Sequence, residues 1–303
     1  MGIGPKLLVR IQTLCQRQIL PPGARVLDLG AQEIFCKGHE SFVHDFHRFF
    51  SNSAELGWKV QEISGSTLDR LADQGFSSAL FRACGFHYDA FDIFDGDGVT
   101  LFDLNLHSPS PEFAGQFDLV TNFGTTEHLI NQYQAMRTIH ELVKVGGVIH
   151  HDLPMGGYHT HGYFSYNPML FRQLASSNNY EILYEGISCE ESLRPAPEDF
   201  VRKGWPAAGW SNRGIEVVLR KTSDRPFVMP LEMETSLGLN PSVWNGEDPY
   251  GLGPASRSAV PDSNANYARN PPRYHLSTVS GWDLQNELAR RYIERFKKLI
   301  GTR

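Results

Sequence analysis

Several things missing from this chain narrow what it can be. Its 303 residues contain no CxxC pair, and the four cysteines, Cys15, Cys36, Cys84 and Cys189, lie far apart. That spacing builds neither a zinc knuckle nor a disulfide frame, and it predicts reduced, mostly buried thiols. No apolar run approaches the roughly 18 residues that a bilayer span requires, so no membrane partner is expected. A basic surplus is missing too: 28 Lys and Arg stand against 34 Asp and Glu, a net charge of −6. Binding to a phosphate backbone asks for the opposite balance, so nucleic acid is not an expected partner. The opening MGIGPKLLVRIQ has too short an apolar run for a secretion signal, and Lys6 stands where a myristoylation signal needs Ser or Thr. The expected location is therefore cytoplasmic.

The most informative absence is of glycine. In VLDLGAQE (26–33), two apolar residues, an acid and a Leu lead into Gly30, but Ala31, Gln32 and Glu33 follow. A dinucleotide loop needs further glycines there, because its backbone must lie against a pyrophosphate. This loop has one tight turn and no more.

The rest of the chain is ordinary in bulk, 41% hydrophobic and 20% charged, and its length suits one large domain with additions. Leu7, Leu8, Ile11, Leu14 and Cys15 recur at helical spacing, predicting a helix over 5–18 within an N-terminal segment 1–22. Short apolar runs predict strands at 25–29, 87–94, 100–105, 117–124, 147–154, 180–188 and 214–221. Helical patterns separate most of them: SSALFRACG (77–85), with Ser77 as N-cap and Gly85 as stop; NQYQAMRTIHELVK, capped by Asn131, with Tyr133, Met136, Ile139 and Val143 on one face; and one ending in FRQLASSNN. Residues 31–74 interrupt the alternation, with Phe42, Phe46, Phe49 and Phe50 on one helical face. Alternating strands and helices predict an α/β domain over 23–221, a mostly parallel sheet with helices on both faces. Beyond it, residues 222–303 read as a Pro/Gly-rich arm and a closing amphipathic helix. Ser280 and Asp283 are spaced as a capping box, and Leu284, Leu288, Tyr292 and Phe296 form a face to be buried on the core or in a homodimer.

In order along the chain, VLDLG, YDAFDI, FDLN, FDLVTNFGTTEHL and KVGGVIHHDLP resemble the motifs of class I S-adenosylmethionine-dependent methyltransferases, a resemblance that covers residues 24–221. It implies a seven-stranded Rossmann-like sheet in the order 3-2-1-4-5-7-6, with the seventh strand antiparallel. It also implies S-adenosylmethionine as cofactor, which carries no phosphate and tolerates a loop with one glycine. On that reading Gly30 makes the turn and Gln32 or its neighbours contact the cofactor by side chain. Asp28 helps hold the cationic head, directly or through water, and Asp92 accepts the ribose hydroxyls. Asp103 receives the adenine amine beside the Leu104 backbone, and Asn122 and Phe123 meet the methionine amino group. The interval from Gly30 to Asp92 is about twice the family's usual one, and the excess is the Phe-rich insert 31–74, expected to act as a helical lid.

Methyl transfer to oxygen or nitrogen leaves a proton to remove, which suits a base with a pKa near 7, typically histidine. Of the 12 histidines, those after the fourth and fifth strands are placed for this. Glu127, His128, His151 and His161 are the candidates, with His159 nearby; of His150 and His151, alternation predicts that one points into the sheet's packing and the other outwards. GTTEH also resembles the EVxEH pattern of some metal-assisted O-methyltransferases, but Gly124 replaces their first glutamate. A divalent metal, Mg²⁺ or a transition ion completed by His151, His159 or His161, is thus an alternative that is not favoured. Trp205 and Trp210 fall where such enzymes shape the acceptor pocket. The resulting expectation is O-methylation of a small-molecule or sugar acceptor with His-assisted deprotonation. A macromolecular (RNA or protein) methyltransferase, or a non-catalytic partner-binding protein of the same fold, is the alternative.

Overall fold

Residues 2–158, 161–189, 192–195 and 212–230 are described by the computed structural model. Trp205, Trp210, His159, most of the arm and the expected closing helix lie outside the described residues.

The chain opens with a two-residue strand, β1 (Gly2–Ile3), and helix α1 (Pro5–Gln16), which starts with proline at its first position, where no N–H is needed. β2 (Arg25–Leu29) runs into the Gly30 turn, and β3 (Glu33–Ile34) then pairs in parallel with β1. The insert follows as α2 (Ser41–Ser51) and α3 (Gly65–Gln74), and after it α4 (Ser77–Ala83) leads into β4 (His87–Asp92). Then come β5 (Val99–Leu101), β6 (Phe117–Phe123), α5 (Gln132–Leu142), β7 (Val143–Gly156), α6 (Pro168–Asn178), β8 (Tyr180–Cys189), β9 (Ser192–Pro195) and β10 (Arg213–Lys221).

The main sheet has the order β5-β4-β2-β6-β7-β10-β8-β9. Counted by position in the chain, its first seven members are the expected 3-2-1-4-5-7-6. β10 runs antiparallel to both neighbours, and β9 is an added edge strand, antiparallel to β8. β2 lies between β4 and β6, parallel to both. From β2 the chain winds out through β4 to β5, then returns to β6 on the other side. The strand order reverses there, and the crevice at the carboxyl ends of β2 and β6 is where such sheets bind ligands.

Alternation along each strand sends side chains to two cores. Val26 joins one cluster with Leu7, Leu8, Ile11, Phe46, Phe50 and Phe81, so α1, α2 and α4 cover that face. Leu27 and Leu29 join the other with Met136, Ile139, Phe171 and Leu174, under α5 and α6. The phenylalanines of the insert divide accordingly. Phe46 and Phe50 are fully buried, with Phe50 in edge contact with Trp58 and Phe86, whereas Phe42 is exposed. Polar ties also hold α1 to the sheet: Lys6 Nζ donates to Asp152 at 2.6 Å, and Arg10 Nε donates to Glu216 at 2.9 Å.

Three local expectations change. Phe76, not Ser77, is the N-cap of α4; Ser77 lies inside the helix, where its hydroxyl has another use. The third strand ends at Leu101, and Phe102 stacks on Phe91 at 4.3 Å. His150 and His151 do point to opposite faces of β7, but neither reaches solvent, because helices cover both faces (0% and 2% exposed). Asn131 caps α5 as read, accepting from Gln134 N–H. Cys15, Cys36 and Cys84 are buried free thiols. Among the described residues, no helix is long and apolar enough to cross a membrane.

Candidate active site

At the end of β2, Gly30 takes a φ of +81°, a left-handed conformation in which a side chain is strained. A Cβ there would also stand 3.0 Å from Thr125 Oγ1. The Gly30 N–H donates to the Phe91 carbonyl at 2.8 Å, and the Ala31 N–H donates to Asp92 Oδ2 at 2.8 Å, so the turn is bound to the end of β4. Where a dinucleotide loop would have glycines, Gln32 folds back into the protein, only 4% exposed. Its Nε2 donates to the Leu29 carbonyl at 3.1 Å, while its Oε1 is buried with no hydrogen-bond partner. A side-chain amide therefore closes this turn and leaves one acceptor free.

Asp28 is fully buried beneath the turn. Its carboxylate accepts from Ser77 Oγ and Tyr88 OH, each at 2.8 Å, and from the Thr121 hydroxyl. Burial raises its pKa and the three hydroxyls oppose that shift. Protein hydroxyls thus bond to both oxygens, and Asp28 ties β2 to α4, β4 and β6. Ser77, Tyr88 and Thr121 were not singled out from sequence, since nothing in the order of residues marks them as partners of Asp28.

Asp92 is half-buried, and its oxygens accept one backbone N–H each, from Ala31 and Phe94. A carboxylate has capacity for more. Past β5, Asp103 Oδ1 accepts from Asn105 N–H at 2.8 Å, the Asp103 N–H donates to His107 Nδ1 at 3.0 Å, and Leu104 is buried. Asn122 is buried at the end of β6, with Nδ2 2.9 Å from Thr126 Oγ1 and 3.0 Å from His151 Nδ1. Phe123 packs its ring on His150 at 4.8 Å and belongs to the core.

Thr126–His128 form a single 3₁₀ turn after β6. Gln132 Nε2 pins it by donating to the Thr126 and Leu129 carbonyls, at 2.6 and 2.7 Å. Tyr166 OH lies 2.9 Å from both Thr126 Oγ1 and Gln132 Oε1. Tyr166 and Gln132 also line a mostly apolar cavity of about 390 Å³, with Tyr133, Met136, Phe164 and Phe227. Inside the turn, Glu127 is 0% exposed, and neither carboxylate oxygen has a hydrogen-bond partner. Burial pushes its carboxyl up to about 7, its own backbone N–H opposing only in part. His161 Nε2 approaches Glu127 Oε1 to 3.6 Å and His128 Nε2 to 3.8 Å, and the two imidazoles meet edge to face at 4.8 Å. Burial lowers the His128 pKa, and His161 beside it adds to the effect.

Three of the four expected catalytic side chains, Glu127, His128 and His161, are thus brought together. The fourth, His151, lies apart from them, with its ring 5.0 Å from Phe171 and its pKa pushed down to about 3 by burial.

Residues 7–184 match the sequence model of a methyltransferase domain, more than half of the chain. The chain belongs to that methyltransferase family. This makes it an S-adenosylmethionine-dependent methyltransferase with the class I sheet order. No curated protein sequence matches it. Among solved structures, the methyltransferase is similar to the 1,6-didemethyltoxoflavin-N1-methyltransferase of Burkholderia thailandensis, with 12% identity, TM-score 0.37, and 71% of this chain and 79% of that one covered. A TehB-like S-adenosylmethionine-dependent methyltransferase from Corynebacterium glutamicum shows 16% identity and TM-score 0.33, over 71% of this chain and 95% of that one. The trans-methyltransferase CalH, in complex with S-adenosylhomocysteine, shows 14% and 0.39, over 71% and 55%. The assignment stands on the sequence match and takes nothing from these structural likenesses.

The methyltransferase's crevice fits its cofactor in two respects. The Gly30 turn needs no further glycine because Gln32 closes it, and Gln32 Oε1 is a buried acceptor still lacking a donor.

Proposed function

We propose that the methyltransferase transfers its methyl group to an oxygen of a small-molecule or sugar acceptor, with Glu127, His128 and His161 drawing off the hydroxyl proton. Bound S-adenosylmethionine supplies the electrophilic methyl group. Gly30, Gln32, Asp92, Asp103, Leu104 and the backbone of Asn122 and Phe123 line its place along the carboxyl ends of the strands, and Asp28 lies beneath that rim. Asp92 takes the ribose hydroxyls, as its half-buried carboxylate has acceptor capacity left.

The observation that carries the acceptor reading is Glu127. A buried carboxyl with a pKa of about 7 and no hydrogen bond is poised to exchange a proton at neutral pH. The His128 and His161 side chains, 46% and 37% exposed, connect it to solvent. An alcohol or phenol has a proton to lose on methylation; a thioether or a tertiary amine has none and would not need such a group.

Calorimetry with S-adenosylhomocysteine, on wild type and Asp92→Ala, tests the cofactor site. The expected result is micromolar binding that the substitution weakens by about tenfold or more, ~1.4 kcal/mol or more. A screen of hydroxylated small molecules with methyl-labelled cofactor then tests the acceptor. Label appearing only in protein or RNA of a cell extract would overturn the small-molecule reading.

A further inference from the structure

We propose that Glu127, His128 and His161 form a binding site for a divalent transition-metal ion. The ion binding stands on the geometry alone; its catalytic consequence rests on the methyl-transfer reading above.

Three observations converge. First, Glu127 is wholly buried yet both its oxygens lack a hydrogen bond, and the buried Nε2 of His161 lacks one as well. Native proteins satisfy buried polar atoms almost without exception, so a cluster of three orphans facing one another calls for a shared partner. Second, the separations suit an ion better than direct bonding. The Oε1–Nε2 distances of 3.6 and 3.8 Å exceed hydrogen-bond range. An ion about 2.1 Å from each ligand in a tetrahedral arrangement holds those ligands ~3.4 Å apart. The three ligand atoms all lie within 4.8 Å of one another. Third, the backbone holds the cluster in shape. Tyr163 and Phe164 N–H both donate to the Glu127 carbonyl, at 2.7 and 3.2 Å. Gly162, at φ +72°, lies so close that a Cβ would stand 2.7 Å from Glu127 Cγ. Glycine at that position is what lets the His161 segment close onto Glu127.

Two imidazoles and one carboxylate favour zinc, cobalt or manganese over magnesium or calcium, which prefer all-oxygen shells. The side of the cluster formed by His128 and His161 is partly open. Three protein ligands and an open position are the layout of a reactive site, whereas a structural ion is closed off by four. With the ion bound, the three side chains would serve as its ligands instead of taking the proton themselves; an acceptor hydroxyl joining the ion there would lose its proton more readily, the O–H bond breaking and the proton leaving to solvent water.

The test uses the full chain, stripped with a chelator and titrated with Co²⁺, following visible ligand-field absorption. S-adenosylhomocysteine binding is measured on the same samples. The expected result is one Co²⁺ per chain, displaced by Zn²⁺, with affinity reduced about tenfold or more in Glu127→Gln, His128→Ala and His161→Ala. His39→Ala, a histidine outside the cluster, should leave it unchanged, and His161→Cys should retain binding with an added thiolate charge-transfer band. Should Glu127→Gln fail to fold, the two partly exposed histidines carry the test. Absence of stoichiometric Co²⁺ binding in a wild type that binds S-adenosylhomocysteine overturns the metal site and leaves the cofactor reading standing. Affinity equal in wild type and cluster variants also overturns it. Co²⁺ binding without S-adenosylhomocysteine binding supports the site and sinks the cofactor reading instead.

Discussion

Glu127 is a carboxyl group that the fold makes more basic, and that has a sign. Its pKa is raised in the folded chain to about 7, from the ordinary glutamate value of about 4.5. Between those values the folded state keeps a proton that the unfolded state has lost, so this group's contribution to stability falls as pH rises through the window and levels off above it. In chelator-treated protein, Glu127→Gln should therefore unfold at a higher temperature than wild type at pH 8 and at about the same temperature at pH 4; thermal denaturation at the two values checks this. Gly30 offers a second test. Alanine there must adopt a left-handed φ, costing about 1–2 kcal/mol, and its Cβ would press on Thr125 Oγ1, which is already committed to the Leu29 carbonyl. Gly30→Ala is expected to distort the turn and weaken S-adenosylhomocysteine binding by about tenfold, ~1.4 kcal/mol, while the protein stays folded by circular dichroism.

At the scale of elements, burial on both faces of the sheet decides how histidines behave. His151 on β7 and His140 on α5 are pushed down to about 3 and about 4, burial being the larger cause in each. Both remain neutral in the folded chain, whereas unfolded histidine takes up a proton below pH 6.5. Their contribution is complete above that value and is lost as pH falls towards the lowered pKa values. This runs opposite to the trend from Glu127. A His140→Gln variant should accordingly show a shallower loss of stability between pH 6.5 and 4 than wild type, by urea denaturation at each pH. The insert can be tested the same way. Phe50 on α2 is fully buried against Phe46, Phe49, Trp58 and Phe86. Phe50→Ala is expected to cost about 3–5 kcal/mol of global stability. An insert independent of the main core would instead give an early, separate transition in the same urea experiment.

Taken as a whole molecule, the chain shows in its order of residues how it is layered but not how its polar groups meet. The layering was legible because short apolar runs separated by helical patterns leave few ways to cover both faces of a parallel sheet, whereas the strand order came only with the resemblance of the ordered motifs to the methyltransferases. Gly30 was legible for a related reason, as a strand that ends in glycine announces its turn, and Asn131 announced α5 by capping chemistry. Glu127 and His128 could be singled out together because they are neighbours in the chain, and His161 because it follows the next strand. Their convergence on one point was not legible, since it depends on Gly162 folding the later segment onto the earlier one. Asp28 shows the same limit: nothing in VLDLG tells that Ser77, 49 residues away, donates to its carboxylate. The sequence by itself determined the alternation of elements, the single tight turn and the family, all of which follow from local pattern and chain order. Only the tertiary structure decided that His151 is sealed inside, that three hydroxyls bond to buried Asp28 and that Glu127 is a neutral-range carboxyl. Desolvation and hydrogen-bond partnership depend on which distant segments pack together, and no spacing along the chain encodes them directly.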